Sequence, residues 1–423
     1  MKIYTVESCG ELLARGSFEQ TEKMKTVQSI IQDVRARGDQ AVFDLEEKFD
    51  GTFLTKETFR VSEEEIAAAY KEVTPELFDS LKRAIDRVYA YHVRSGRKDH
   101  LVTEGGRTTG YVVRPVSAAG IYVPGGTAPL TSSVLMGVLP AKAAGVKRIV
   151  MATPAKNGKI HPLTLVAAKE CGVDEIFKMG GAQAVAALAY GTDSVEKVDV
   201  IAGPGNIFVT LAKKEVYGQV GIDMLAGPSE ILIIADGSAN PDYVAADVLS
   251  QAEHDVLARS IVVTDSAELA KRISERVEAR LSVLPREEIA RKALDENGGI
   301  ILVDDLAQGC EISNEIAPEH LELYVAEPEK LLPSIQNAGA VFMGAYTPEP
   351  IGDYFAGPDH ILPTGGSAKF FQVLNEDVFT RKMSVISYTK EAIQKDGEHV
   401  VRLAESELLS AHARAVLARM EEK

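Results

Sequence analysis

Cysteine is scarce in this 423-residue chain. Cys9, Cys171 and Cys310 lie far apart, odd in number and without a CxxC pair, so a disulfide framework is excluded. Reduced thiols in a cytoplasmic protein are the expectation. Positive charge is in deficit as well: 46 Lys and Arg face 62 Asp and Glu, a net charge of −16 spread along the chain. Phosphate backbones and anionic bilayers attract the opposite sign, so neither a nucleic acid nor a membrane is an expected partner. A secretory signal is missing, because Met1-Lys2-Ile3-Tyr4-Thr5-Val6-Glu7 runs straight into polar sequence. So is a membrane span. The longest charge-free stretch, Pro115 to Ala141, is broken by Pro115, Pro124, Pro129, Pro140 and the Gly125-Gly126 pair, and reads as loops around a short helix.

What is present is the composition of a globular enzyme, 45% hydrophobic and 26% charged, in a chain long enough for two or three domains. The first hundred residues read as helices. Thr74-Pro75 supplies an N-cap and a first-turn proline, and Leu77, Leu81, Ile85 and Val88 follow at a helical period. From about 145 short β-rich runs alternate with amphipathic helices, with strands expected over Arg148–Ala152, Glu175–Lys178, Val198–Ala202 and Glu230–Ala235. A second series follows at Ser260–Thr264, Gly299–Val303, Leu321–Val325 and Ala340–Met343. Two successive βα series predict an α/β protein with two doubly wound, Rossmann-like lobes built on parallel sheets. From Tyr388 to Lys423 the sequence reads as a charged, alanine-rich helical tail without a strand.

Several short motifs could carry chemistry. Gly203-Pro204-Gly205-Asn206 follows a strand and opens a helix, where backbone N–H groups can meet a phosphate or ribose. Gly180-Gly181-Ala182-Gln183 and Tyr122-Val123-Pro124-Gly125-Gly126 are turns of the same kind, although the dinucleotide fingerprint GxGxxG is absent. Each of these alone reads more readily as a structural turn, and it is three of them in one lobe that suggest a nucleotide crevice. Gln251 and His254, three apart, share a helix face and could clip a metal, or His254 could simply meet the carbonyl end of its helix. Glu319-His320 pairs a carboxylate with an imidazole before a strand, as acid/base chemistry requires, unless both are merely solvated. Asp353 and His360 fall in a Gly/Pro-rich loop, and Glu407 and His412 lie five apart on the tail.

Taken together these motifs resemble the histidinol dehydrogenase family over essentially the whole chain. The most specific stretch is Ile222-Asp223-Met224-Leu225-Ala226-Gly227-Pro228-Ser229-Glu230, flanked in order by the glycine turns, Gln251-Ala252-Glu253-His254, Pro318-Glu319-His320-Leu321-Glu322 and Gly357-Pro358-Asp359-His360. The resemblance implies a zinc- and NAD-dependent oxidation of L-histidinol through L-histidinal to L-histidine, using two NAD per turnover and one zinc ion per subunit. It assigns Tyr122, Gln183 and Asn206 to NAD. Gln251, His254, Asp353 and His412 would hold zinc. Ser229, His320, His360 and Glu407 would contact substrate beside the metal ligands, with Glu319 and His320 as the acid/base pair. It further implies a homodimer whose C-terminal tail completes the partner's site.

On that basis residues 1–17 form an N-terminal arm, and 18–121 with 230–374 form a lobe bearing the metal and catalytic residues. Residues 122–229 form the NAD-binding lobe and 375–423 the helical tail. Three positions depart from the family pattern: Leu408 where glycine is usual, Pro350 where serine is common, and Asp359 where asparagine often stands. Two other readings compete. One is a dehydrogenase of another polar alcohol such as sulfopropanediol, the other a non-catalytic α/β binding protein. Glu407 and His360 suit a cationic, imidazole-bearing substrate, whereas a sulfonate would require Arg or Lys.

Overall fold

The computed structural model describes residues 1–14, 21–125 and 130–421, which leaves Gly126 and Pro129 outside the described residues. In chain order the strands begin with β1 (Ile3–Thr5), β2 (His100–Glu104), β3 (Arg107–Pro115), β4 (Ala118–Tyr122), β5 (Arg148–Thr153), β6 (Glu175–Lys178) and β7 (Val200–Ala202). They continue with β8 (Gly221–Ile222), β9 (Glu230–Ala235), β10 (Arg259–Thr264), β11 (Gly299–Leu302), β12 (His320–Tyr324), β13 (Ala340–Met343) and β14 (Thr380–Tyr388).

The chain divides into two compact units, one of Met1–Ser95 and Ser117–Phe379, the other of Gly96–Val116 and Thr380–Lys423. The larger unit holds two parallel sheets. One has the order β6-β5-β4-β7-β8, the other β1-β11-β10-β9-β12-β13. Counting from β4 and from β9, both follow the doubly wound order 3-2-1-4-5, and the second adds β1 at its edge. The expected two-lobed α/β architecture is thus observed. Helices cover both faces of each sheet, so central strands such as Glu230–Ala235 are buried at every residue and carry no polar alternation.

The apportioning of residues 18–121 to the second of these sheets does not match the packing. The helix Thr21–Arg37 aligns Val27, Ile30, Ile31 and Val34 on one stripe. That stripe joins Val185, Leu188, Val209 and Leu211 in the core of the five-stranded sheet. Amphipathicity fixes which face of a helix is buried, not which sheet it covers.

In the smaller unit β14, β3 and β2 form an antiparallel sheet, and the helices Lys390–Ser406 and Ser410–Met420 pack on one another. The tail is therefore not helical from 375 onward. Thr380–Tyr388 is a strand paired with Arg107–Pro115, a partner too remote in sequence to leave a local signal.

Candidate active site

The segment from β8 to β9 carries the chain from the carboxyl end of one sheet to the amino end of the other, and its residue types follow from that crossing. Asp223 is buried. Its Oδ2 accepts from the Gly203 N–H at 2.8 Å, its Oδ1 accepts from the Met224 N–H at 2.6 Å, and Lys213 closes an ion pair on it. Lys213 Nζ also donates to the Gly203 carbonyl at 3.0 Å, so one buried pair fixes the Gly203–Asn206 turn from both sides. Gly203 has φ +120, and a side chain there would strike the Tyr122 carbonyl, so only glycine fits. Asn206 caps the helix Ile207–Val216, accepting from the Phe208 and Val209 N–H groups at 3.0 and 3.2 Å. Tyr122 ends β4, and its hydroxyl accepts from the Gly181 N–H at 3.1 Å. Gln183 lies in the first turn of the helix Gly181–Tyr190 and is buried. Tyr122, Gln183 and Asn206 thus stand at or just beyond the carboxyl ends of β4, β6 and β7, where doubly wound sheets bind ligands.

The other predicted residues of this unit gather at the six-stranded sheet. Ser229 precedes β9, Gln251 lies in the last turn of the helix Pro241–Ala252, His254 follows it, and His320 opens β12 with Glu319 just before. Glu319 Oε2 accepts from the Glu230 N–H at 2.8 Å and lies 3.7 Å from His320 Nδ1. His320 Nδ1 is 3.0 Å from the Glu230 carbonyl oxygen. A carbonyl can only accept, so Nδ1 carries the proton and Nε2 presents its lone pair. That Nε2 is buried without a hydrogen-bond partner, 3.9 Å from Glu349 Oε1. Burial pushes Glu319 well above the usual carboxylate range, making it a stronger base once ionised.

Atoms of His320, Glu349 and Asp353 lie within 4.8 Å of one another, a spacing able to hold a cation. Asp353 Oδ1 is 3.5 Å from His360 Nδ1. Burial opposes its ionisation, but the His360 ring beside it holds its pKa below the usual value. Burial pushes Glu349 up to about 7. His254 is depressed by partial burial, with Asp353 opposing and His320 reinforcing that shift. Gln251 is 1% exposed, and neither its amide oxygen nor its amide nitrogen has a hydrogen-bond partner. A buried amide with both ends unsatisfied is costly and points to a ligand that meets it. Glu407 and His412 belong to the smaller unit, where both are solvent-exposed.

Glu349 escaped the sequence reading. The spacing was available: it stands four residues before Asp353, so both carboxylates fall on one face of the helix Glu349–Tyr354. Pro350 occupies the first turn of that helix, where a missing N–H costs nothing. Asp359 is buried, its Oδ1 accepting from the Ile361 N–H at 2.7 Å and its Oδ2 standing 3.8 Å from His92 Nε2.

Residues 13–420 match the family described as histidinol dehydrogenase. A histidinol dehydrogenase of Heliobacterium mobile is 52% identical over 397 residues, covering 93% of each chain. The crystal structure of a histidinol dehydrogenase from Elizabethkingia anophelis superposes with a TM-score of 0.96 at 37% identity, covering 100% of this chain and 98% of that one. A betaine aldehyde dehydrogenase from Staphylococcus aureus, 12% identical with a TM-score of 0.51 over 87% of this chain and 83% of that one, shares the fold alone.

Proposed function

Because this chain belongs to the histidinol dehydrogenase family and is thereby an oxidoreductase, we propose that it oxidises L-histidinol through L-histidinal to L-histidine, the closing steps of histidine biosynthesis. The observation that carries this reading is the bare, buried Nε2 of His320 beside the buried Glu319 carboxyl, two bases of different kinds at one strand end. The reading takes one zinc ion per subunit on Gln251, His254, Asp353 and the partner-directed His412. The donor set suits it: the unsatisfied amide of Gln251 and the Asp353 carboxylate beside His320 are groups a borderline cation accepts. Zinc, when bound, would anchor nitrogen donors of the substrate as a Lewis acid. NAD, when bound, would accept the hydride of each oxidation, two per turnover.

The chain's own residues do the rest. His320 Nε2 takes the hydroxyl proton as the alcohol is oxidised, while the Glu230 carbonyl holds the ring in the required tautomer. Glu319 then takes a proton from the water that adds to the aldehyde, and oxidation of the hydrate yields the acid. Ser229, His360 and Glu407 orient the substrate, with Glu407 matching its cationic amine. The lobe of the five-stranded sheet serves the nucleotide through Tyr122, Gln183 and Asn206.

A homodimer with exchanged tails is supported by the apolar surface of the smaller unit, where Ile386, Leu403 and Leu408 are exposed. Buried unpaired Cys9, Cys171 and Cys310 suit the reducing cytoplasm. The test is stoichiometric: two NADH should form per histidinol consumed, with histidine as product. One NADH with accumulating aldehyde would remove the second oxidation from the assignment.

A further inference from the structure

The nucleotide-side turn carries a charged residue that no motif singles out. Glu46 lies in the helix Asp39–Asp50 and is 0% exposed. A carboxyl buried this completely requires hydrogen-bond partners. Its Oε1 has two, accepting from the Gly180 N–H at 2.8 Å and from Gln183 Nε2 at 2.8 Å, while Oε2 accepts from no donor and the Asp50 carboxyl stands beside the group. The neighbouring Gly181 N–H is taken by the Tyr122 hydroxyl. Two of the N–H groups at this turn, those of Gly180 and Gly181, are therefore already engaged by protein, one of them by a carboxyl.

The same contact fixes an amide. With one Nε2 hydrogen held by Glu46, the Gln183 amide is fixed in orientation and its Oε1 is set as an acceptor. That oxygen lies over Gly181, where an added Cβ would come within 2.8 Å of it. Gly181 has φ +57, so glycine is required on both counts.

We propose that Glu46 is a positioning residue of the nucleotide site, holding the Gln183 amide so that Oε1 receives a hydroxyl or carboxamide donor of NAD. This rests on the NAD reading above, and equilibrium titration with NADH, followed by fluorescence, separates the two. Glu46→Asp keeps the carboxyl but withdraws it by one methylene from both donors, and should weaken NADH binding roughly tenfold, the worth of such a hydrogen bond. Glu46→Gln retains an oxygen that can accept from both donors and should bind NADH like wild type. In a Gln183→Ala background, Glu46→Asp should cost nothing further. The KM for histidinol should stay unchanged in every variant.

Undiminished NADH binding by Glu46→Asp, equal losses in the Asp and Gln variants, or a full additional loss in the Gln183→Ala background would each overturn the role of Glu46. Failure of the wild-type protein to bind NADH would instead overturn the nucleotide reading itself.

Discussion

At the scale of single residues, chemistry is set by what each buried polar group touches. His320 has its Nδ1 committed to a carbonyl and its Nε2 bare, so replacing the ring should remove the base without disturbing the strand it opens. His320→Asn is expected to slow turnover by roughly 10²- to 10⁴-fold, the range for a positioned general base. Glu319→Gln should impair oxidation of added histidinal more than that of histidinol, and steady-state rates on both substrates check the division. Asp359 supplies a pH test. Burial raises its pKa well above the usual carboxylate range, so the fold favours its protonated form. Stability from that group is present below the unfolded pKa, about 4, and is lost as pH rises towards the folded value. Asp359→Asn keeps the acceptor for the Ile361 N–H and should raise the melting temperature at pH 8, with the gain vanishing near pH 4. An equal shift at both pH values would refute the cause. The sequence showed Glu319 and His320 because adjacent acid and base residues are visible as letters. Glu46 and Glu349 were not visible, because the partners that give them meaning come from other segments.

At the scale of elements, the tail helices show a local rule broken in a readable way. The helix Lys390–Ser406 ends with the Leu409 N–H donating to the Ala404 carbonyl and the Leu408 N–H to that of Glu405, the paired bonds of a Schellman cap. The cap places residue 408 in the left-handed region, and Leu408 has φ +61 with its side chain 90% exposed. A leucine there costs roughly 1–2 kcal/mol, and glycine would return about 0.5–1 kcal/mol of that as chain entropy. Leu408→Gly should therefore stabilise the cap by at most about 1.5 kcal/mol, seen as slower amide exchange at residues 404–409. Faster exchange there would show that the leucine side chain holds the turn. Pro350, by contrast, breaks no rule, since it sits in a first turn. Both departures were legible as sequence; their opposite consequences became legible only with the dihedral angles and helix limits.

At the scale of the whole molecule, the two sheets of the larger unit share one topology but present their candidate site residues at opposite ends. The residues proposed for the nucleotide stand at or just beyond the carboxyl ends of β4, β6 and β7, whereas Ser229, Glu319 and His320 stand at the amino ends of β9 and β12. The crossing from β8 to β9 joins those two edges, and it is the stretch on which the sequence resemblance rests most. Assembly supplies the remaining prediction. If the tail of each chain completes its partner's site, His254→Ala and His412→Ala should each be inactive alone, and subunit exchange between them should create mixed dimers with one intact site of two. Random exchange makes half of the dimers mixed, so activity should return to roughly a quarter of wild type. Verified exchange with no recovery would assign His412 to its own chain's site.

By itself the sequence determined the α/β class, both βα series, the glycine turns and most of the chemical residue types, because strand burial and turn geometry are local and write themselves into composition. Only the tertiary structure decided that the helices from Thr21 onward cover the five-stranded sheet, that β14 pairs with β3, and that Glu46 reaches Gln183. Each of these is a contact between distant segments. An amphipathic helix, an edge strand or a buried carboxyl specifies that it needs a partner, while the packing of the whole chain selects which one.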